Sequence, residues 1–303
     1  MLAQLEENYL SVVVTVHNGA DHILNSLGDL LAQAKAHFKN FEVIVVDDAS
    51  TDETVSILQN SDFSNLHIVE LSRHYGVQSA ITAGVDLSIG DYVVEIPDLR
   101  LEGISRMLYE LYCKSQEGFD FVFCVPYQTA FTSGQFYKLL NKYFRNSLKM
   151  ENSSSVMTLA SRRGLNIVMA EQSRVVNHNI AYVLSGLKCG RISIDQTYAN
   201  RRGLFNNLVL SLDTMLYYTD YTTKLIAMIA LSFSIFSLFC IGYGLDAFFF
   251  KDTVPGWLSL FMFVTISFSG IFLILLVLAR QMNHILSHSS KKKTYTYRSI
   301  SKK

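Results

Sequence analysis

The sequence predicts an α/β domain built on a mostly parallel, doubly wound sheet and followed by a hairpin of two transmembrane helices. Three observations carry that expectation. Short β-branched runs alternate with helix-length segments over the N-terminal part, two long uncharged stretches lie near the C-terminus, and a basic segment follows them.

The alternation begins with Leu10 to Val16 and Phe41 to Val46, each a β-branched run that ends in a polar turn, with a helical pattern from Ala20 to Phe38 between them. That order makes a βαβ unit. Further strands are expected at Leu66 to Leu71 and Tyr92 to Ile96, after helices at Asp52 to Gln59 and Gln78 to Leu87. In such sheets ligands bind beyond the carboxyl ends of the strands, which here are His17 to Asp21, Asp47 to Asp52, Ser72 to Gly76 and Pro97 to Arg100.

Leu225 to Leu245 is 21 residues without a charge, which as a helix reaches roughly 31 Å, the thickness of a bilayer core. Gly256 to Ala279 is a second run of 24, and the ten residues between them are too few for a domain on the far side. Beyond the hairpin Arg280, Lys291, Lys292, Lys293, Arg298, Lys302 and Lys303 meet no acidic residue, so the positive-inside rule puts this end in the cytoplasm. Two crossings return the N-terminal domain to the same side. The expected division is therefore a cytoplasmic domain over 1–203, an interfacial helix over 204–222, a hairpin over 223–280 with spans 225–245 and 256–279, and a basic tail over 281–303. Tyr217, Tyr218 and Tyr221 suit the headgroup region, although an ordinary amphipathic surface helix reads as well from the pattern.

Formal net charge is zero, which gives no nucleic-acid footprint. The four cysteines form no CxxC pair and no zinc-spaced cluster with histidine, so they read as reduced thiols. Glu6 and Glu7 stand where a secretory signal would carry positive charge.

The strand Phe41 to Val46 runs into Asp47 and Asp48, and Ser50 or Thr51 is placed to cap the next helix. No GxGxxG or GxxxxGK[ST] loop stands at a strand end, which removes the main support for dinucleotide and P-loop readings. Carboxylates there suit ribose hydroxyls, base N–H groups or a metal; equally, Asp48 and Asp52 suit turn and cap roles.

Taken together, SVVVTVHN at 11–18, EVIVVDDASTD at 42–52, SRHYG at 72–76 and GDYVV at 90–94 resemble, in order and spacing, the inverting family 2 glycosyltransferases of GT-A fold. With the paired C-terminal helices, the chain is similar to the polyprenyl-phosphate and dolichol-phosphate hexosyltransferases of that family. The resemblance implies transfer of a sugar from a nucleotide-sugar to a polyprenyl phosphate or similar lipid-linked acceptor in envelope polysaccharide or glycan synthesis, at the inner membrane with the catalytic domain and both termini cytoplasmic. It places Thr15, His17, Asp47 and Asp48 around the nucleoside and Arg73 and Gly76 near the base or diphosphate, and leaves a homo-oligomer open.

The family's metal site reads Asp-x-Asp-Leu-Gln, and here IPDLR stands at 96–100, so Asp98 is the one remaining ligand for Mg²⁺ or Mn²⁺. Arg100 brings a guanidinium that matches phosphate oxygens and stays ionised, which lets it replace the cation at the donor diphosphate; Asp98 and Arg100 are thus the candidate catalytic pair. Glu95 is a displaced metal ligand only if its strand turns it toward the site. On the acceptor side the family's charged positions fall on neutral residues at Pro126 to Ser133 and Ser153 to Thr158, leaving Arg201 and Arg202 as the match for a lipid phosphate. A catalytically weak or inactive scaffold of a polysaccharide-synthesis complex is the alternative that these losses keep open.

Overall fold

The structure, a computed structural model, describes residues 5–100, 103–128, 155–171, 177–197, 221–250, 256–289 and 295–303. It separates into two compact units. The first comprises Met1–Asn207 with Lys292–Lys303, and the second Leu208–Lys291.

In the first unit, β1 (Leu10–Val16), α1 (Ile23–His37), β2 (Phe41–Asp47), α2 (Thr54–Asn60), β3 (Leu66–Leu71), α3 (Val77–Leu87) and β4 (Tyr92–Ile96) alternate as the sequence predicts. They are followed by α4 (Met107–Gln116), β5 (Phe121–Gln128), β6 (Met157–Ser161), α5 (Arg162–Glu171), α6 (His178–Leu184), β7 (Cys189–Thr197) and, from the far end of the chain, β8 (Tyr297–Lys302). One eight-stranded sheet has the order β7-β5-β6-β4-β1-β2-β3-β8. β1 pairs in parallel with β2 and β4, and β2 with β3, while β6 and β8 join antiparallel to β4 and β3.

Every residue of β1 is buried, because α-helices cover both faces of a central parallel strand, and this is why it reads as an uninterrupted apolar run. The core gathers Val12, Val14, Val43, Val45 and Val94 from the sheet with Leu27, Leu30, Leu108 and Leu111 from α1 and α4. Each such side chain contributes about 1.5–3 kcal/mol by leaving water. On the other face α3 lies so close to the sheet that a Cβ at Gly84 would stand 2.3 Å from Val13 Cγ1. At the amino ends of the strands, buried Ser11 donates to Glu42 Oε1 at 2.6 Å and accepts from the Gly90 amide at 2.8 Å, which closes the sheet away from the site.

Boundaries shift where local bonding decides them. α1 starts at Ile23 rather than Ala20, because the Gly19 amide donates to Thr54 Oγ1 at 2.9 Å and Gly19 O accepts from Ile23 N at 3.0 Å, which makes 19–22 a turn. β2 runs one residue further, to Asp47. Neither Ser50 nor Thr51 caps α2, whose N-cap is Glu53. Asp52 Oδ1 instead receives the Thr54 amide at 3.1 Å.

The second unit holds α7 (Tyr221–Phe250) and α8 (Trp257–Ser289). Phe233 stacks on Phe272 with ring centroids 4.4 Å apart, and Ser237 Oγ donates to Thr265 O at 3.2 Å, so the two helices pack together. Leu231, Phe236, Leu238 and Phe239 on α7, with Phe263, Phe268 and Ile274 on α8, are more than half exposed. Among the described residues, Met228–Asp246, 19 residues, is long and apolar enough to cross a membrane, and Leu260–Leu275 is a shorter apolar stretch. The segment 204–220 expected at the interface lies outside the described residues.

Gly84→Ala should destabilise the first unit by about 1–3 kcal/mol, since the new methyl meets both Val13 and Val46 in a packed layer. The midpoint of denaturant unfolding checks it; an unchanged midpoint would mean that α3 is free to shift.

Candidate functional site

The site forms where the loops after β1, β2, β3 and β4 meet. Thr15 is buried and donates to Pro97 O at 2.8 Å, which ties the end of β1 to the loop after β4. The Asn18 amide donates to Ser50 Oγ at 2.9 Å and the Thr51 amide to Asn18 Oδ1 at 2.8 Å, which laces the first loop to the second. Asn18 and Ala49 both stand at positive φ, +52° and +57°, so the strand ends turn sharply on left-handed residues.

The adjacent carboxylates of β2 point to different tasks. Asp47 accepts the Ser50 amide at 3.0 Å and the Ser50 hydroxyl, which closes its own turn. Burial pushes its carboxyl up, against the pull of those two hydrogen bonds. Asp48, also buried, reaches across to the loop after β3: Oδ1 accepts the Tyr75 amide at 2.7 Å and Oδ2 the Gly76 amide at 2.8 Å, with His74 Nδ1 3.0 Å from Oδ2. Gly76 is at φ +88° as the N-cap of α3, a conformation for which glycine is suited. His17 Nδ1 lies 2.9 Å from Asp48 O, and its ring centroid is 4.5 Å from that of His74. Two exposed imidazoles, tilted by 40°, thus stand side by side over a buried carboxylate, where either ring face can meet a base or sugar ring. Arg73 lies over the Tyr75 ring, 4.8 Å from its centroid.

Asp98 and Arg100 stand together on the loop after β4, partly exposed. Asp98 Oδ1 accepts the Arg100 amide at 3.0 Å and is 3.9 Å from Arg100 Nε. Asp21, in the loop after β1, is held below the ordinary carboxylate range by its hydrogen bond from His22, and the charge of Arg100 adds to this, so Arg100 is felt across the mouth of the site. Glu95 points the other way. It is buried, with Oε1 2.9 Å from His178 Nδ1 and accepting the Tyr182 hydroxyl, and His178 Nε2 is 2.9 Å from Thr82 Oγ1. The strand alternation that put its orientation in question turns it into a buried network, where it offers no ligand to the loop.

These donors do not fit a divalent cation. One carboxylate remains at the strand end, one of its oxygens already accepts a backbone amide, and a guanidinium stands beside it. Among the described residues no group of three or more His, Cys, Asp or Glu side chains is gathered for a metal.

On the far side of β4, the neutral segment that replaces the family's charged one is held by hydroxyl contacts: Thr158 Oγ1 lies 2.9 Å from both Asn179 Oδ1 and Ser155 Oγ, with its one hydrogen available to either. Arg201 and Arg202 lie outside the described residues. Sequence reasoning passed over His74, whose signal was its place in the loop after β3, and His178 with Tyr182, which no local pattern marks.

Residues 11–98 match the family described as Glycosyl transferase family 2. An uncharacterised glycosyltransferase of Synechocystis sp. is 28% identical over 185 residues, spanning 57% of this chain and 57% of that protein's length. The undecaprenyl-phosphate 4-deoxy-4-formamido-L-arabinose transferase of Shewanella sediminis is 27% identical over 291 residues, 87% of this chain and 85% of that one. Glucosyl-3-phosphoglycerate synthase of Mycobacterium tuberculosis, solved in complex with Mn²⁺, uridine diphosphate and glucosyl-3-phosphoglycerate, shares the fold at a TM-score of 0.53 and 17% identity, covering 69% of this chain and 78% of that one.

Asp48→Ala should free the loop after β3 and Asp47→Ala should not, because two backbone amides lose their acceptor in the first variant, a loss of about 1–3 kcal/mol. Hydrogen exchange at the Tyr75 and Gly76 amides reads the difference, and equal rates in the two variants would contradict it.

Proposed function

We propose that this chain, whose N-terminal unit carries a family 2 glycosyltransferase domain, moves a sugar from a nucleotide-activated donor to a polyprenyl phosphate or similar lipid-linked phosphate at the cytoplasmic face of a membrane. The observation that supports the donor half is the convergence of the loops after β1, β2 and β3 on Asp48, with the loop after β4 tied to the end of β1 through Thr15. It sets the His17 and His74 rings side by side, with Arg73 on the same loop as His74, and Arg100 follows β4 at the same end of the sheet. The lipid acceptor of the Shewanella relative, matched along most of both chains, supports the acceptor half.

In this reading the nucleoside rests against the two imidazoles and the diphosphate lies toward Arg73 and Arg100. An anionic acceptor oxygen attacks the anomeric carbon in line. The new C–O bond forms as the bond to the donor phosphate breaks, the configuration inverts, and a nucleoside diphosphate leaves. A phosphate oxygen that is already ionised needs positioning more than a base, so most of the acceleration comes from orientation and from charge stabilisation on the leaving group. With no fitting metal cradle among the described residues, Arg100 supplies that stabilisation, and the carboxylate of Asp98 holds the Arg100 amide and so the loop that presents it.

The second unit supports attachment to the membrane. α7 and α8 expose large apolar side chains, and the chain that leaves the first unit at Asn207 is back in it by Lys292. β8 pairs with β3 in the N-terminal sheet, so both ends of the intervening segment belong to the same unit, which is compatible with an even number of crossings. That pairing supports the hairpin over a single span, with the basic residues that follow it on the cytoplasmic side.

Two measurements test this. Calorimetric titration with UDP-sugars and GDP-sugars should show binding that persists in EDTA and weakens at least tenfold in Arg100→Ala, about 1.4 kcal/mol, with transfer to a polyprenyl phosphate falling in parallel. Transfer abolished by EDTA in the wild type would overturn the role of Arg100, and binding without any transfer would turn the reading to a scaffold. Separately, a cysteine at Asp252→Cys should react with an impermeant thiol reagent from outside the cell while the tail stays protected; the reverse pattern would invert the topology.

A further inference from the structure

An edge strand exposes unpaired amides, and β3 would be one without the C-terminal segment. β8 covers it along its length, from His67 opposite Lys302 to Leu71 opposite Tyr297, with Lys303 N donating to Leu66 O at 2.9 Å. The segment is also fastened to α3. Tyr297 OH donates to Ala83 O at 3.1 Å, and the buried Tyr295 donates its hydroxyl to Asp86.

The contact continues past the strand. Ser72 N donates to Thr296 O at 3.0 Å, and three hydroxyls close a triangle: Thr296 Oγ1 lies 2.6 Å from Tyr75 OH and 2.7 Å from Ser72 Oγ, and Ser72 Oγ lies 3.1 Å from Tyr75 OH. Tyr75 is also the residue whose amide is held by Asp48, and its ring carries the Arg73 guanidinium. Tyr75 is therefore held at its amide by Asp48 and at its hydroxyl by the segment that follows α8.

We propose that Thr296 is a positioning residue for the nucleotide-sugar: by holding Tyr75 it fixes the 72–76 loop, and with it Arg73 and His74, at the donor site. This rests on the reading of that loop as part of the donor site. Thr296 does not touch the donor. It acts through Tyr75, and it makes the segment C-terminal to the apolar helices a working part of a site otherwise built from the first hundred residues.

The Tyr75 phenol gives a readout independent of any ligand. Hydrogen bonds from Ser72 and then Thr296, with Arg73 nearby, bring it down to about 8. In the full-length chain in detergent, a difference absorbance titration against Tyr75→Phe follows this group, and calorimetry with UDP-glucose and GDP-mannose follows the donor site. Thr296→Val should move the phenol up toward its ordinary value and weaken donor binding by about three- to tenfold, the worth of one hydroxyl hydrogen bond. Thr296→Ser should restore both. A shifted phenol with unchanged affinity would overturn the positioning role, and so would a phenol that does not respond to Thr296→Val. A wild type that binds neither nucleotide-sugar overturns the functional reading, and the positioning role with it, whereas wild-type binding that Thr296→Val leaves untouched overturns the positioning role alone.

Discussion

The arrangement of the site depends on one buried carboxylate. Asp48 leaves the end of β2 with little exposure to water, and both of its oxygens accept amides from the loop after β3. A buried anion is tolerated when hydrogen bonds replace its hydration, and backbone amides at a helix start do this well. The consequence reaches beyond stability. Because the Asp48 carboxylate fixes Tyr75 and Gly76, its carbonyl sits beside His17, and His74 lies within reach of both, one residue sets the relative position of three strand ends. Its neighbour Asp47 has the same side chain and none of this reach, since it turns back on Ser50.

The loop after β4 shows the opposite economy of charge. A carboxylate and a guanidinium four ångströms apart, both partly exposed, attract each other only modestly in water, and the pair is too exposed to act as a structural salt bridge. The firmer contact is the hydrogen bond from the Arg100 amide to Asp98, which shapes the turn. The guanidinium is therefore left free to exchange one anionic partner for another. Glu95, three positions before Asp98, illustrates how a strand sorts adjacent acids: the same sheet that sends one to the surface sends the other into a network with His178 and Tyr182.

Much of the fold was legible in the sequence. β1, β3 and β4 have the bounds that their apolar runs predict, most plainly β1, which is buried along its whole length and so leaves little room for polar residues. The places where ligand loops meet followed from the parallel order alone. Which of two adjacent aspartates shapes the site was not legible, because that depends on where the loop after β3 passes, and the Asp48–Gly76 contact spans 28 positions. The pairing of His178 with Glu95 spans 83, and the C-terminal strand looked like a basic tail because Tyr297 to Lys302 is short and mostly exposed. Its partner is needed before its pattern means anything. Long-range hydrogen bonds of this kind carry no local signature.

The join between β3 and β8 also imposes an order of events on biosynthesis. Ser72 and Thr296 are 224 positions apart, so at ~5–20 residues per second the edge of β3 emerges on the order of ten to forty seconds before the strand that covers it. Over that interval Leu66, Ile68, Val69 and Leu71 belong to an open sheet edge, and both apolar helices are translated while it waits. A nascent chain of this kind has two hazards at once, an adhesive strand and an oily segment. The register shift between Glu70 and Leu71 is taken up by β8, where Arg298 is the extra residue, so until that strand arrives the edge of β3 is itself regular and open to pairing along its length.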